Sequence, residues 1–261
     1  MGNETTVGNP ACVCIDYIDD ATSVPEALER SGATEVLVGH DAILLKPNLV
    51  NDTPFPVTTR PEFCAEVVHW LRKITDAEVI IAEGCGSCTM ETPEIFRNLG
   101  YERMAAELGV ELVDLNTVKT VERSIPDCPV FPTMHLPEAA FTHAIISLPV
   151  LKAHSLAGIT GSLKNMMGFP PPQHYSGSSG SWKKAVFHQR MHQSVRDLCR
   201  YVSPTFTLMD ASVGLADFHL GGATLSPPAG KLIAGCNALE CDRTAATLLG
   251  RNWRDIGHLR D

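Results

Sequence analysis

Residues 144–174 read AIISLPVLKAHSLAGITGSLKNMMGFPPPQH, and the rest of the chain is interpreted outward from them. The run 144–151 is apolar, rich in β-formers and bounded by turn residues, which predicts a buried strand. The character changes at once beyond it. Lys152 and His154 are expected just past the strand, and Gly158, Gly161 and Gly168 follow at loop spacing among Thr160, Ser162, Lys164 and Asn165. Glycines let a backbone approach a ligand closely, while hydroxyl, amide and ammonium groups supply donors for an anion. Two lysines and a histidine beside an apolar strand are costly unless they meet water, carboxylates or a bound anion.

Other segments repeat this arrangement. Apolar strands are expected at 11–18, 42–45, 78–82, 111–115, 205–209 and 231–235, with helices at 24–31, 61–74, 93–98, 101–108, 183–201 and 242–249. Ser23 is the expected cap of the first helix, and Asp242 that of the last. The proline-containing stretch 116–138 reads as an irregular hairpin, and SGSSGS at 176–181 as a flexible loop. Strands alternating with helices predict an α/β fold, a mainly parallel or mixed sheet flanked by helices in three layers. The length of 261 residues suits one domain, with possible lobes 1–140 and 141–261. Four strands end in polar groups: Lys46 and Asn48, Glu83, Lys152 and His154, and Asp210. If those strands are parallel neighbours, these residues converge at the carboxyl edge, where such sheets bind ligands.

Charge sharpens the expectation. The chain carries a net −9, which argues against nucleic acid as a partner. Residues 144–200 nevertheless hold Lys152, Lys164, Lys183, Lys184, Arg190, Arg196 and Arg200 against a single acid, Asp197. Such a basic island can draw a small anion into a cleft, or serve as a solvated face paired with acids elsewhere. No apolar run approaches a membrane span, and the first ten residues have neither a basic nor an apolar signal region. A cytoplasmic chain without membrane partners is therefore expected.

The nine cysteines have an odd count and irregular spacing, unlike a secreted disulfide framework. Cys85 and Cys88 form an isolated C-x-x-C after a strand, a pattern that can provide half a zinc site or shuttle a disulfide. A zinc site needs two further ligands, for which His154 with His174 or His192 are candidates. Small buried thiols are the simpler alternative.

The segments LLKPNL at 44–49, SLPVLKAHSLAGITGSLKNMMG at 147–168, His192, LMDASVGL at 208–215 and AGCNALECDRTAATLLG at 234–250 resemble the domain of unknown function 362 family. The resemblance covers most of the chain from Leu44 to Gly250, and its K-x-H…T-x-x-x-K-N-x-x-G pattern is specific. It implies motif roles for Lys46, Asn48, Lys152, His154, Thr160, Lys164, Asn165, His192, Asp210 and Asp242. Some relatives carry appended ferredoxin-type iron–sulfur modules, whose clustered C-x-x-C-x-x-C pattern does not occur in this sequence.

Three function classes stay open. The first is an enzyme for a small carboxylate or phosphate compound. In it Lys46, Asn48, Thr160, Lys164, Asn165, Glu83, Asp210 and His192 line the ligand site, while His154 and Lys152 are catalytic. His154 is the expected base, kept neutral by neighbouring ammonium groups. The second is a redox accessory protein holding a metal ion or iron–sulfur cluster through Cys85 and Cys88 and working with a separate ferredoxin. The third is a non-catalytic anion binder.

Overall fold

The structure is a computed structural model that describes residues 11–177 and 182–260. The first ten residues, and most of the serine–glycine loop expected at 176–181, lie outside the described residues. The chain begins with β1 (Val13–Asp16), α1 (Asp20–Arg30), α2 (Ala33–Leu37), β2 (Ala42–Pro47), α3 (Pro61–Ile74) and β3 (Glu78–Glu83). It continues with α4 (Thr92–Asn98), α5 (Tyr101–Leu108) and β4 (Glu111–Asp114). An antiparallel hairpin of β5 (Thr120–Ser124) and β6 (Thr133–Pro137) fills the proline-containing stretch. Then come α6 (Ala139–Thr142), β7 (Ala144–Leu148), β8 (Val150–His154), β9 (Gly158–Ile159), α7 (Gly161–Asn165) and α8 (Pro172–Tyr175). The last elements are α9 (Met191–Tyr201), β10 (Phe206–Leu215), β11 (Lys231–Gly235) and α10 (Ala238–Leu248).

Among the described residues nine strands share one sheet, in the order β1-β11-β10-β7-β2-β3-β4, with β8 joined to β10 and β9 to β8. The central strands β10, β7, β2, β3 and β4 are parallel, whereas β11 runs antiparallel to both β10 and β1. The sheet is therefore mixed, with a parallel centre. Alternation along the buried strands builds the layers. Ile43, Leu45, Ile81 and Ile146 join one core cluster with helices α1 and α3, while Leu44, Ile80 and Ile145 point into a second with α9. The fold is the expected α/β arrangement of helices on both sheet faces. Among the described residues no helix is long and apolar enough to cross a membrane.

The topology selects one crevice. From β2 the chain moves through β3 to β4 on one side, and then returns to β7 and β10 on the other. Strand order thus reverses between β2 and β7, and their carboxyl ends open a gap between the outgoing connections.

Several local expectations are corrected. Pro149 interrupts the strand expected at 144–151, because it cannot donate to a ladder. The chain then resumes as β8, so Lys152 and His154 lie within a strand and not past one. Asp210 sits inside β10, which continues to Leu215. Ser23 is buried in α1 and accepts from the Ile18 amide, while Asp19 caps the helix through the Thr22 amide at 2.8 Å. The helix expected from 183 begins at Met191, preceded by a 3-10 turn over 185–190. Asn237, not Asp242, caps α10.

Candidate functional site

The crevice is floored by a closed polar lattice. Lys46, at the end of β2, is wholly buried, and its Nζ donates to Glu83 Oε2 at 2.7 Å and to Pro47 O at 2.8 Å. Glu83 ends β3 and also accepts from the Leu49 amide at 2.9 Å and the Gly84 amide at 2.8 Å. Asn165 at the end of α7 donates through Nδ2 to Lys46 O at 2.9 Å and to Ser147 Oγ at 3.1 Å, and its Oδ1 accepts from Asn48 Nδ2 at 3.1 Å. Gly168 must be glycine here, since a Cβ would lie 2.2 Å from Glu83 Oε1 and 2.3 Å from Lys46 Cε.

Above this floor a cavity of roughly 110 Å³ is lined by Asn48, Glu83, Lys152, His154, Thr160, Lys164 and Asn165, and also by Trp182, Lys184, His188 and His219. Lys152 Nζ donates to Asn48 Oδ1 at 2.6 Å and Val57 O at 2.5 Å. Lys184 Nζ donates to Asn116 Oδ1 at 3.0 Å and Gly168 O at 2.8 Å. Lys164 is partly buried and has no hydrogen-bond or ionic partner among the described residues. None of the three lysines forms an ion pair within the described residues. Glu83, the carboxylate that lines the cavity, is already held by Lys46 and two amides.

The electrostatic consequence is a group of amines held below their ordinary range. Burial, reinforced by the Lys164 charge, brings Lys152 to about 7. Burial brings Lys184 to about 7 and Lys164 to about 8. The neighbouring histidines are affected similarly. Desolvation and then the Lys164 and Lys152 charges push His219 down to about 3, and desolvation with Lys164 lowers His188. His154 is pushed far below its usual range, first by burial and then by Lys164.

His154 has a defined tautomer. Its Nδ1 accepts from the Leu156 and Ala157 amides, each at 3.1 Å, so the ring proton resides on Nε2. Its ring stacks on His219 with centroids 3.9 Å apart. The lone pair that a histidine base would use is occupied by two amides, and the neutral ring is a donor. Two polar atoms of cavity-lining residues are buried without a partner among the described residues: Thr160 Oγ1 and His219 Nδ1.

Asp242 positions α7. Both its carboxylate oxygens accept backbone amides there, Ser162 at 2.5 Å and Leu163 at 3.0 Å. Gly161 has φ +60°, and a Cβ on it would meet Asp242 oxygens at 2.6–2.7 Å, so this contact needs glycine twice over. Burial raises the Asp242 carboxyl to about 7, opposed by the two amides.

Two expected ligand residues lie elsewhere. Asp210 Oδ2 accepts from Arg60 at 2.8 Å, and Arg60 also binds Asp20 at 2.8 Å. His192 Nδ1 meets His258 Nδ1 at 2.9 Å across α9 and the carboxyl-terminal turn. Neither lines the cavity. Cys85 is buried, its thiol pushed up by burial, with Sγ against Met90 O at 3.4 Å and Lys183 Nζ at 3.6 Å, whereas Cys88 is exposed. Among the described residues no group of three or more His, Cys, Asp or Glu side chains is arranged to hold a metal ion. Lys184, His188, His219 and Trp182 were not singled out from the sequence. Of these, Lys184 belongs to the basic island of residues 144–200.

No curated protein matches the sequence. Among solved structures, the fold is similar to the lactate racemase apoprotein from Thermoanaerobacterium thermosaccharolyticum, with 14% identity and a TM-score of 0.44. The similarity covers 76% of this chain, and the chain spans 50% of that protein. The family model described as a domain of unknown function (DUF362) matches residues 43–247, more than half of the sequence, and the chain belongs to that family.

Proposed function

We propose that the chain is an enzyme that binds a small anionic molecule, a carboxylate or a phosphate compound, in the cavity at the β2/β7 crevice. One observation carries this reading: Lys152, Lys164 and Lys184 line one small cavity with no carboxylate paired to any of them. Partly desolvated ammonium groups without counter-charge raise one another's energy, and a bound anion relieves that cost. In this reading the three lysines hold the ligand's charge. Asn48 and Asn165 fix Lys152 and the floor, and Thr160 Oγ1 and His154 Nε2–H are donors to the ligand. Lys46 and Glu83 neutralise each other and shape the floor without contributing net charge to the cavity. His154, whose Nδ1 lone pair is taken by two amides, serves as a donor and not as a base.

Melting curves at pH 7 with inorganic phosphate, sulfate or acetate, against chloride at equal ionic strength, test the reading. Phosphate is expected to raise the transition by several degrees, and Lys152→Met and Lys164→Met each to remove most of that shift. No anion-specific shift in the unmodified chain would sink it. Turnover of a bound compound separates an enzyme from a non-catalytic binder. The cysteine-held metal reading has no comparable support, because burial favours the Cys85 thiol over the thiolate, Cys88 is exposed, and no group of three or more His, Cys, Asp or Glu side chains among the described residues is arranged to hold a metal ion.

A further inference from the structure

The three cavity lysines are not equivalent. Lys152 and Lys184 each direct two N–H bonds at fixed oxygen acceptors, which anchor their amines at the cavity wall, and a bound carboxylate favours their charged forms. Lys164 has no such acceptor among the described residues, although its backbone is pinned by the Asp242 contacts to the two preceding amides. A lysine next to other cations and without an acid partner has the environment of an amine nucleophile. Two donors without other partners share the cavity wall, Thr160 Oγ1 and the Nε2–H side of His154.

We propose that Lys164 is a nucleophile that forms an imine with the carbonyl carbon of a small oxo acid whose carboxylate is held by Lys152 and Lys184. The inference rests on the anion-binding reading above and adds a substrate class and a covalent step to it. Neutral Nζ attacks the carbonyl carbon, forming the C–N bond as the carbonyl π pair moves to oxygen, where Thr160 and His154 donate. One amine proton passes to that oxygen, giving a carbinolamine. The C–O bond then breaks, the second amine proton leaves with the oxygen as water, and the C=N bond remains. No oxidant or reductant is required. The fall of Lys164 to about 8 leaves a usable fraction of neutral amine at pH 7.5.

The test treats the full chain at pH 7.5 with glyoxylate and cyanoborohydride, which reduces an imine to N-carboxymethyl-lysine, and locates the adduct by peptide mass spectrometry. Lys164 is expected to be labelled about tenfold faster than the exposed Lys73 and Lys119, and inorganic phosphate to slow only the Lys164 reaction. Lys164→Arg keeps the charge without a competent amine, so it should retain phosphate stabilisation while losing the adduct. Labelling of Lys164 no faster than Lys73, or preferential labelling of Lys152 or Lys184, overturns the proposal. Such a result with phosphate stabilisation intact rejects the imine alone, whereas loss of both rejects the anion site as well.

Discussion

Two lysines of the same crevice illustrate how a partner decides what a buried charge does. Lys46 is wholly buried and held by Glu83 at 2.7 Å. Removing one member of such a pair strands the other, which costs about 3–5 kcal/mol. Lys164 is partly buried with no partner among the described residues, so replacing its ammonium by a thioether relieves desolvation and strands nothing. Denaturant titration at pH 7 should therefore find Lys46→Met strongly destabilised, and Lys164→Met unchanged or stabilised by about 1 kcal/mol. Equal losses in the two variants would mean that Lys164 has a structural counter-charge after all. The sequence indicated both residues as site lysines but could not rank them, because the pairing of Lys46 with Glu83 spans 37 positions and depends on β2 and β3 being neighbours. His154 was legible as a site residue for the same reason as Lys152, while its role as a donor depends on two amides of the following turn.

At the scale of elements, α7 is a five-residue helix whose amino-terminal amides are capped from outside by Asp242 of α10. A helix this short has little stability of its own, so its placement, and with it that of Lys164 and Asn165, depends on the cap. Asp242→Ala should cost about 2 kcal/mol in unfolding free energy and weaken phosphate binding, as read by titration calorimetry. Unchanged phosphate affinity in a folded Asp242→Ala chain would show that α7 holds its position without the cap. Asp242 reads in the sequence as the cap of its own helix, because an acid before an apolar run gives that signal. The structure gives that task to Asn237 and lends Asp242 to α7. The polar groups at Lys46, Glu83, Lys152 and Asp210 were legible because each follows an apolar run, although only Lys46 and Glu83 stand at the ends of their strands. What lay beyond local pattern was the β8 detour after Pro149 and the approach of Lys184 to Gly168 O, since both are fixed by tertiary packing.

Across the whole molecule, the cavity lysines tie stability to pH. Lys152 and Lys184 at about 7, and Lys164 at about 8, return to 10.5 on unfolding. In that interval the unfolded chain binds more protons than the folded one, so stability rises with pH. Above pH 9 the raised thiols, with Cys64 at about 12 against 9.0, act in the opposite sense. The clean window is pH 7 to 9, where unfolding free energy should rise by on the order of 1–3 kcal/mol without added anion, and less with sulfate present. A flat or falling profile in denaturant titrations would contradict it. On acidification, His219 and His258, held near 3, lose stability as pH falls from 6.5, while Asp242, raised to about 7, partly offsets that loss. The most direct measurement joins charge and ligand: sulfate binding at pH 8 by calorimetry in buffers of different ionisation enthalpy. Sulfate does not titrate in this range, and a bound dianion raises the pKa of amines around it. The account predicts binding with net uptake of roughly one proton, reduced in Lys164→Met. Binding without proton uptake, or no binding, would contradict the claim that a cluster of unneutralised lysines forms the site.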